Sequence, residues 1–273
     1  MTAPGHHEVA AAVRRALFGV GPIATARSLL KHALRRDPAA RSGPAPAPRG
    51  PHPFDVAFGV QTDGFSSWRE NLASDAANAA YSSGYLGVAP SVARRLIATV
   101  RDPERFTFID FGCGKGRALI VASERPFRRI LGVEFVPGLA EAARQNAAAI
   151  RAAYPARTAI EVHQGDAAAM DLPDGPLVLF FYQPFEMPVM RKVLRRLQDA
   201  LSASARPVIV LYVNPALARA FDRVPVLEPA LDATLELREE EKPFAYAGRG
   251  GTDRVRAWRT RAPRPELDPI ASA

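Results

Sequence analysis

The chain has 273 residues, 48% of them hydrophobic and 23% charged, a balance that excludes a disordered or fibrous protein and fits a globular one with a sizeable core. Cys113 is the only cysteine, which excludes an internal disulfide and a cysteine-based zinc site and suits a reducing compartment. The net charge of +8 is concentrated at the start: residues 1–50 hold eight Arg or Lys against two acids, leaving 28 basic and 26 acidic residues in the other 223. The sum over that body makes no electrostatic case for a polyanion, so nucleic acid is not the expected partner.

Residues 1–36 contain two stretches of helical spacing, marked by Val9, Val13 and Leu17 and then by Ile23, Leu29, Leu30 and Leu34, both flanked by arginines. Such a basic amphipathic segment packs on the domain that follows it or makes peripheral contact with an anionic membrane. Arg14 and Arg15 precede a short apolar run, but Gly19, Gly21 and Pro22 break it, so a secretory leader is not expected and a cytoplasmic location is. Residues 37–53 are rich in Pro and Ala and read as a linker. The main domain is expected over 54–265.

Residues 54–100 form a preamble with turn signals at Asp63-Gly64 and Ser83-Gly84 and a helix over 90–100. Apolar runs of strand length then recur at 106–110, 129–134, 159–163, 177–182 and 208–213, with helical patterns at 117–124, 137–153 and 186–202 between them. Two alternating segments, 233–239 and 254–260, face each other across the glycine-rich residues 248–251. The pattern predicts an α/β three-layer sandwich: a mostly parallel seven-stranded sheet, helices on both faces and a C-terminal antiparallel hairpin.

The first regular strand runs into Asp110-Phe111-Gly112-Cys113-Gly114-Lys115-Gly116. Open α/β sheets bind ligands at such a strand-to-helix turn, and glycine there permits sharp turns and close approach of a ligand. A dinucleotide fingerprint needs a third glycine or alanine where this chain has Arg117. The acid two residues before Gly112 suits a cationic ligand and would repel a pyrophosphate.

These residues carry a family resemblance. FIDFGCGKGRALIVAS resembles motif I of the class I S-adenosyl-L-methionine-dependent methyltransferases, VEFVPGLAEAARQN resembles their second-strand segment, and HQGDAAAMDLP resembles the segment after the third strand. The likeness covers about residues 80–260. It implies that Asp110 faces the amino end of the methionine moiety, that Gly112, Cys113 and Gly114 line the donor, that Glu134 binds both ribose hydroxyls, and that Asp166 reads the adenine amino group. Alternatives stay open: Asp110 as a helix cap, Glu134 as an exposed strand end, Asp166 as a turn former, Cys113 as a reactive thiol and His163 as a base.

After the fourth strand, Tyr182-Gln183-Pro184-Phe185 resembles the Asn/Asp-Pro-Pro-Tyr/Phe motif of methyltransferases that modify planar amino groups, with Gln183 replacing the first residue and one proline missing. The likeness implies that Gln183 accepts a hydrogen bond from the target while Tyr182 or Phe185 stacks on it; otherwise Pro184 simply ends the strand. No acid stands between Leu177 and Phe185, so a metal is not expected. The whole chain resembles a bacterial methyltransferase group of undefined substrate, through residues 54–64, Gly84-Tyr85, this aromatic segment and Tyr212-Val213-Asn214-Pro215. In that likeness Tyr85 lies over the methionine end. Some lysine-modifying methyltransferases carry a similar aromatic segment before motif I. The expected function is methyl transfer to N or O of a small molecule or protein side chain; the alternatives are a nucleic-acid methyltransferase, a non-catalytic donor-binding module and aminopropyl transfer.

Overall fold

The computed structural model describes residues 50–66, 85–245 and 250–271. The amphipathic segment 1–36, the linker up to residue 49, the turn at Ser83-Gly84 and residues 248 and 249 of the glycine-rich connection lie outside them. The described chain begins with helix α1 (Pro53–Phe58), whose N-terminus is capped by the ring of His52, and a small antiparallel pair, β1 (Phe65–Ser66) and β2 (Tyr85–Leu86). Helix α2 (Pro90–Ala98) follows.

The regular part is β3 (Thr107–Phe111), α3 (Arg117–Ala122), β4 (Arg129–Glu134), α4 (Pro137–Ala153), β5 (Ile160–Gln164), β6 (Leu177–Tyr182), α5 (Met187–Ala203) and β7 (Val208–Val213). A short α6 (Ala218–Asp222) leads into β8 (Leu227–Glu236) and β9 (Thr252–Thr260). The sheet order is β5-β4-β3-β6-β7-β9-β8, parallel from β5 through β7, with β9 antiparallel to both β7 and β8. This is the expected seven-stranded three-layer arrangement. All residues of β3 and β7 are buried, because the parallel core is covered on both faces.

One apolar cluster gathers α2, α3 and α4 against the sheet through residues such as Leu96, Leu119 and Ile150. A second gathers α5 and α6 on the other face through Leu197, Phe221 and Trp258. The periodicity placed β4, β6, β7 and α4 with their observed bounds, since each is a continuous apolar or amphipathic run with a clear breaker. It missed the first half of β8, which begins at Leu227 and tolerates Pro229 next to a register shift. An edge strand can lack an N–H that a central strand cannot spare, so Pro229 misled the sequence reading. The chain after 260 runs back along α2, where Leu267 bridges Val100 and Arg101 meets Glu266 and Asp268.

The connections from β3 lead to β4 and then β5 on one side, while β6 and β7 lie on the other. The crevice beyond the carboxyl ends of β3, β4 and β6 is therefore the topological switch point, where this architecture leaves room for a ligand.

Candidate active site

A cleft open to solvent lies at that switch point. Every residue picked out above for a site role except His163 lines it. Asp110, Gly112, Cys113 and Gly114 come from the β3–α3 turn, Glu134 from the tip of β4 and Asp166 from the loop after β5. Tyr85 comes from β2, and Tyr182, Gln183 and Phe185 from the end of β6. His163 is exposed on β5, opposite Val133, and is not among the residues lining the cleft.

Glu134 is buried, and its carboxylate accepts from the Gly114 amide at 2.9 Å and the Val136 amide at 2.9 Å. It thereby pins the glycine turn to the tip of β4 and is not an exposed strand end. Burial raises its pKa, while those backbone donors pull it back. Asp110 is only 4% exposed, and its pKa is raised well above the carboxylate norm, first by desolvation and then by the nearby Glu134 charge. Two acids in one buried cleft create a demand for a cation. Asp166 is half-buried and takes the Ala168 amide on Oδ1 at 2.8 Å, so it both shapes its turn and borders the cleft.

The glycines act differently from the expectation that they simply let a ligand approach. Gly112, Gly114 and Gly116 all have positive φ, 77°, 55° and 86°. The space that a Cβ on Gly112 would take holds Pro184, and that on Gly114 holds the Tyr85 ring. The missing side chains let the protein's own walls close on the turn. Cys113 packs its sulfur against Gly132 of β4, and burial pushes its thiol pKa up, so a reactive thiolate is disfavoured.

On the far wall, Gln183 has φ 46° and Asn214 φ 51°, left-handed values at two neighbouring strand ends, each followed by a proline. The Gln183 side-chain amide donates to the Asn214 carbonyl at 2.6 Å. Asn214 in turn donates to Asp253 at 2.6 Å, which ties this corner to β9. Phe185 packs edge-on to Phe181 at 6.4 Å in the α5 cluster, whereas Tyr182 leans on the α2–α4 cluster, so the two rings border the cleft from opposite faces of the sheet. Left-handed backbone before a proline is strained, more so at Gln183 than at Asn214, whose residue type tolerates it.

Residues 108–204 match the family model described as a methyltransferase domain. Residues 108–204 thus carry a methyltransferase domain. No curated protein matches by sequence. Among solved structures the chain is similar to the 23S rRNA methyltransferase ErmE, with 19% identity over 68% of this chain and 72% of that one and a TM-score of 0.45. It is also similar to magnesium protoporphyrin IX methyltransferase from Synechocystis PCC 6803 with bound SAM, with 14% identity, 63% and 77% coverage and a TM-score of 0.43. An RNA methyltransferase from Salinibacter ruber, in complex with S-adenosyl-L-homocysteine, shares 20% identity over 68% of this chain and all of its own, with a TM-score of 0.40.

The preamble is bolted to the glycine turn by a polar clasp that the residues alone did not reveal. Asp55 accepts from the amides of Thr62 at 2.7 Å and Asp63 at 2.8 Å, and the Thr62 hydroxyl also donates to it. Arg117, 3% exposed, donates to the Thr62 hydroxyl oxygen at 2.7 Å and the Val88 carbonyl at 3.3 Å, with Asp55 and Asp63 within 4 Å. Its guanidinium lies where a side chain on Gly87 would sit. Asn146 of α4 bonds both the Gln61 backbone and the Lys115 carbonyl, and Lys115 and Tyr85 donate to the carbonyls of Asp63 and Thr62. The signal was Arg117 itself: a charged residue inside an otherwise apolar stretch, read above only as the absence of a glycine.

Asp110 carries a pH signature. Its folded-state pKa lies above the unfolded value, so folding favours the protonated form, and donor-free stability falls as pH rises from about 4 toward the folded value. Asp110→Asn is expected to stabilise the donor-free protein at neutral pH by about 1–3 kcal/mol while weakening S-adenosylmethionine binding at least about 10-fold. Wild-type affinity should rise with pH through that window, and the variant's should not. Thermal melts and calorimetric titrations across pH measure both, and a variant with wild-type affinity and pH profile removes Asp110 from the site.

Proposed function

We propose that the cleft binds S-adenosylmethionine along the ends of β3, β4 and β5 and presents its methyl group to a nitrogen or oxygen nucleophile at the end of β6. In this reading residues 54–265 are the catalytic domain, preceded by the linker 37–53 and the basic segment 1–36. Asp110 meets the amino end of the methionine moiety, and Gly112, Cys113, Gly114 and Tyr85 wall it in. Glu134 takes the two ribose hydroxyls with the lone pairs its backbone donors leave, and Asp166 takes the adenine amino group. The observation that carries the proposal is the meeting of two buried, desolvated carboxylates and the strained Gln183 corner in one cleft at the switch point.

Bound there, S-adenosylmethionine supplies a sulfonium-activated methyl group for in-line displacement. The chain's own contribution is alignment and exclusion of water. Gln183, its amide oriented by the Asn214 carbonyl, directs its side-chain oxygen at a donor N–H or O–H of the acceptor, and Tyr182 and Phe185 flank the acceptor. The near-neutral charge sum of residues 51–273 argued against nucleic acid as the acceptor, but that charge is unevenly distributed in the fold.

Calorimetric titration of the full chain with S-adenosylmethionine tests the reading, with decarboxylated S-adenosylmethionine as comparison. Tighter binding of the intact donor is expected. Preference for the decarboxylated compound would turn the assignment to aminopropyl transfer, and no binding of either would remove the donor site.

A further inference from the structure

Nearly every described arginine and lysine has a partner. On the C-terminal hairpin, Arg254 and Arg256 sit on Asp232 and Asp222, while Arg259, Arg261 and Arg264 converge on Glu228. Arg129 meets Glu161, and Arg196 meets Asp171. Five cations among the described residues have no hydrogen bond, ion pair or ring contact: Arg191, Lys192 and Arg195 on α5, and Arg219 and Arg223 on α6. The near-neutral sum thus hides a segregation, with most acids paired elsewhere and a net unpaired positive charge left on two helices, where Asp199 of α5 is the one acid without such a partner.

Those helices are neighbours, both packed in the same apolar cluster, and both start just past the carboxyl ends of β6 and β7. Helix α5 buries Val189, Met190, Val193, Leu194, Leu197 and Leu201, and at 100° per residue its three cations fall on the opposite side. Arg219 and Arg223, four apart, share one exposed side of α6 and its end. The one acid of α6, Asp222, is engaged by Arg256 and Trp258. The basic face therefore borders the wall of the cleft that carries Gln183 and Phe185.

We propose that the α5–α6 face binds the phosphate backbone of a nucleic acid and thereby delivers a base to the Tyr182, Gln183 and Phe185 corner as methyl acceptor. This rests on the donor-site reading above. Phosphates need fixed cations and no apolar surface, whereas a protein interface or an inserted membrane helix needs exposed apolar side chains. The only large hydrophobic residues exposed among those described are Val56 and Val226, neither of them on α5 or α6. A planar base also suits a corner that offers two aromatic rings and an oriented amide, by stacking and edge hydrogen bonding.

The test uses the full chain and labelled 20-nucleotide single-stranded RNA and DNA, with anisotropy followed over a salt series. Binding should weaken linearly in log salt. The triple variant Arg191→Gln, Arg195→Gln, Arg219→Gln should bind at least 10-fold more weakly, with a slope smaller by about two, from roughly 0.7 per phosphate contact on single strands. A matched variant, Arg238→Gln with Arg264→Gln, should keep wild-type affinity and slope. The proposal is overturned if neither nucleic acid binds at low salt, if the triple variant binds like wild type, if the matched variant loses as much, or if anionic vesicles bind while nucleic acid does not. S-adenosylmethionine titrated into the same samples separates the two readings. Donor binding without nucleic-acid binding overturns this proposal alone; nucleic-acid binding without donor binding overturns the donor site it rests on.

Discussion

Replacing Glu134 by alanine is expected to lower S-adenosylmethionine affinity at least about 100-fold, the largest effect of any single change in the cleft. Two charge-assisted bonds to the ribose, at about 1.5–3 kcal/mol each, account for that loss. A second contribution adds to it, because the same carboxylate holds the amides of Gly114 and Val136, and removing it frees the glycine turn from β4. Glu134→Gln separates the two. Its amide oxygen still accepts from one backbone N–H, but its NH2 meets the other donor, so the turn is half-held and the diol loses its anionic partner. The order of affinity should be wild type, then Gln, then Ala, measured by calorimetry. Binding of the Ala variant within threefold of wild type would rule Glu134 out as the ribose ligand.

Gly114→Ala should cost about 2–4 kcal/mol of stability and at least 10-fold in donor affinity. At φ 55° a side chain pays the left-handed penalty, about 1 kcal/mol, and its Cβ falls on the Tyr85 ring. Tyr85 has little room to retreat, since its hydroxyl donates to the Thr62 carbonyl and Lys115 lies 5.5 Å over its ring. Adding Tyr85→Ala to Gly114→Ala should return part of the lost stability, because the collision goes while the φ strain stays. Gly138→Ala is the control: nothing lies within 4 Å of its Cβ position in the first turn of α4, and it should be neutral or slightly stabilising. If Gly114→Ala melts like wild type, the turn is not clamped by the Tyr85 ring.

Much of this molecule was legible in its residues because the signals are local. Strands β6 and β7 are unbroken apolar runs and β3 and β4 nearly so, and a doubly covered parallel sheet buries such runs on both sides. Asp110 and Glu134 stand at the ends of β3 and β4 and Asp166 two residues past β5, so position along the chain translates directly into position at the carboxyl edge of the sheet. Pro229 was opaque for the complementary reason: whether a proline is tolerated depends on whether its strand has a neighbour on that side, and that is a property of the assembled sheet.

What the residues determined by themselves is the layered fold, the place of the cleft and the acids that border it. What only the tertiary structure decided is how non-local partners share their polar groups and space. Arg117 lies 55 residues from Thr62, yet it meets Thr62 and Asp55 in one buried clasp; Pro184 and Tyr85 occupy the room vacated by Gly112 and Gly114. Charge shows it most plainly. A sum over residues 51–273 is close to zero, yet Coulomb attraction acts between neighbours in space, and the fold pairs the hairpin and surface acids with nearby arginines while leaving the cations of α5 and α6 to face solvent beside the cleft.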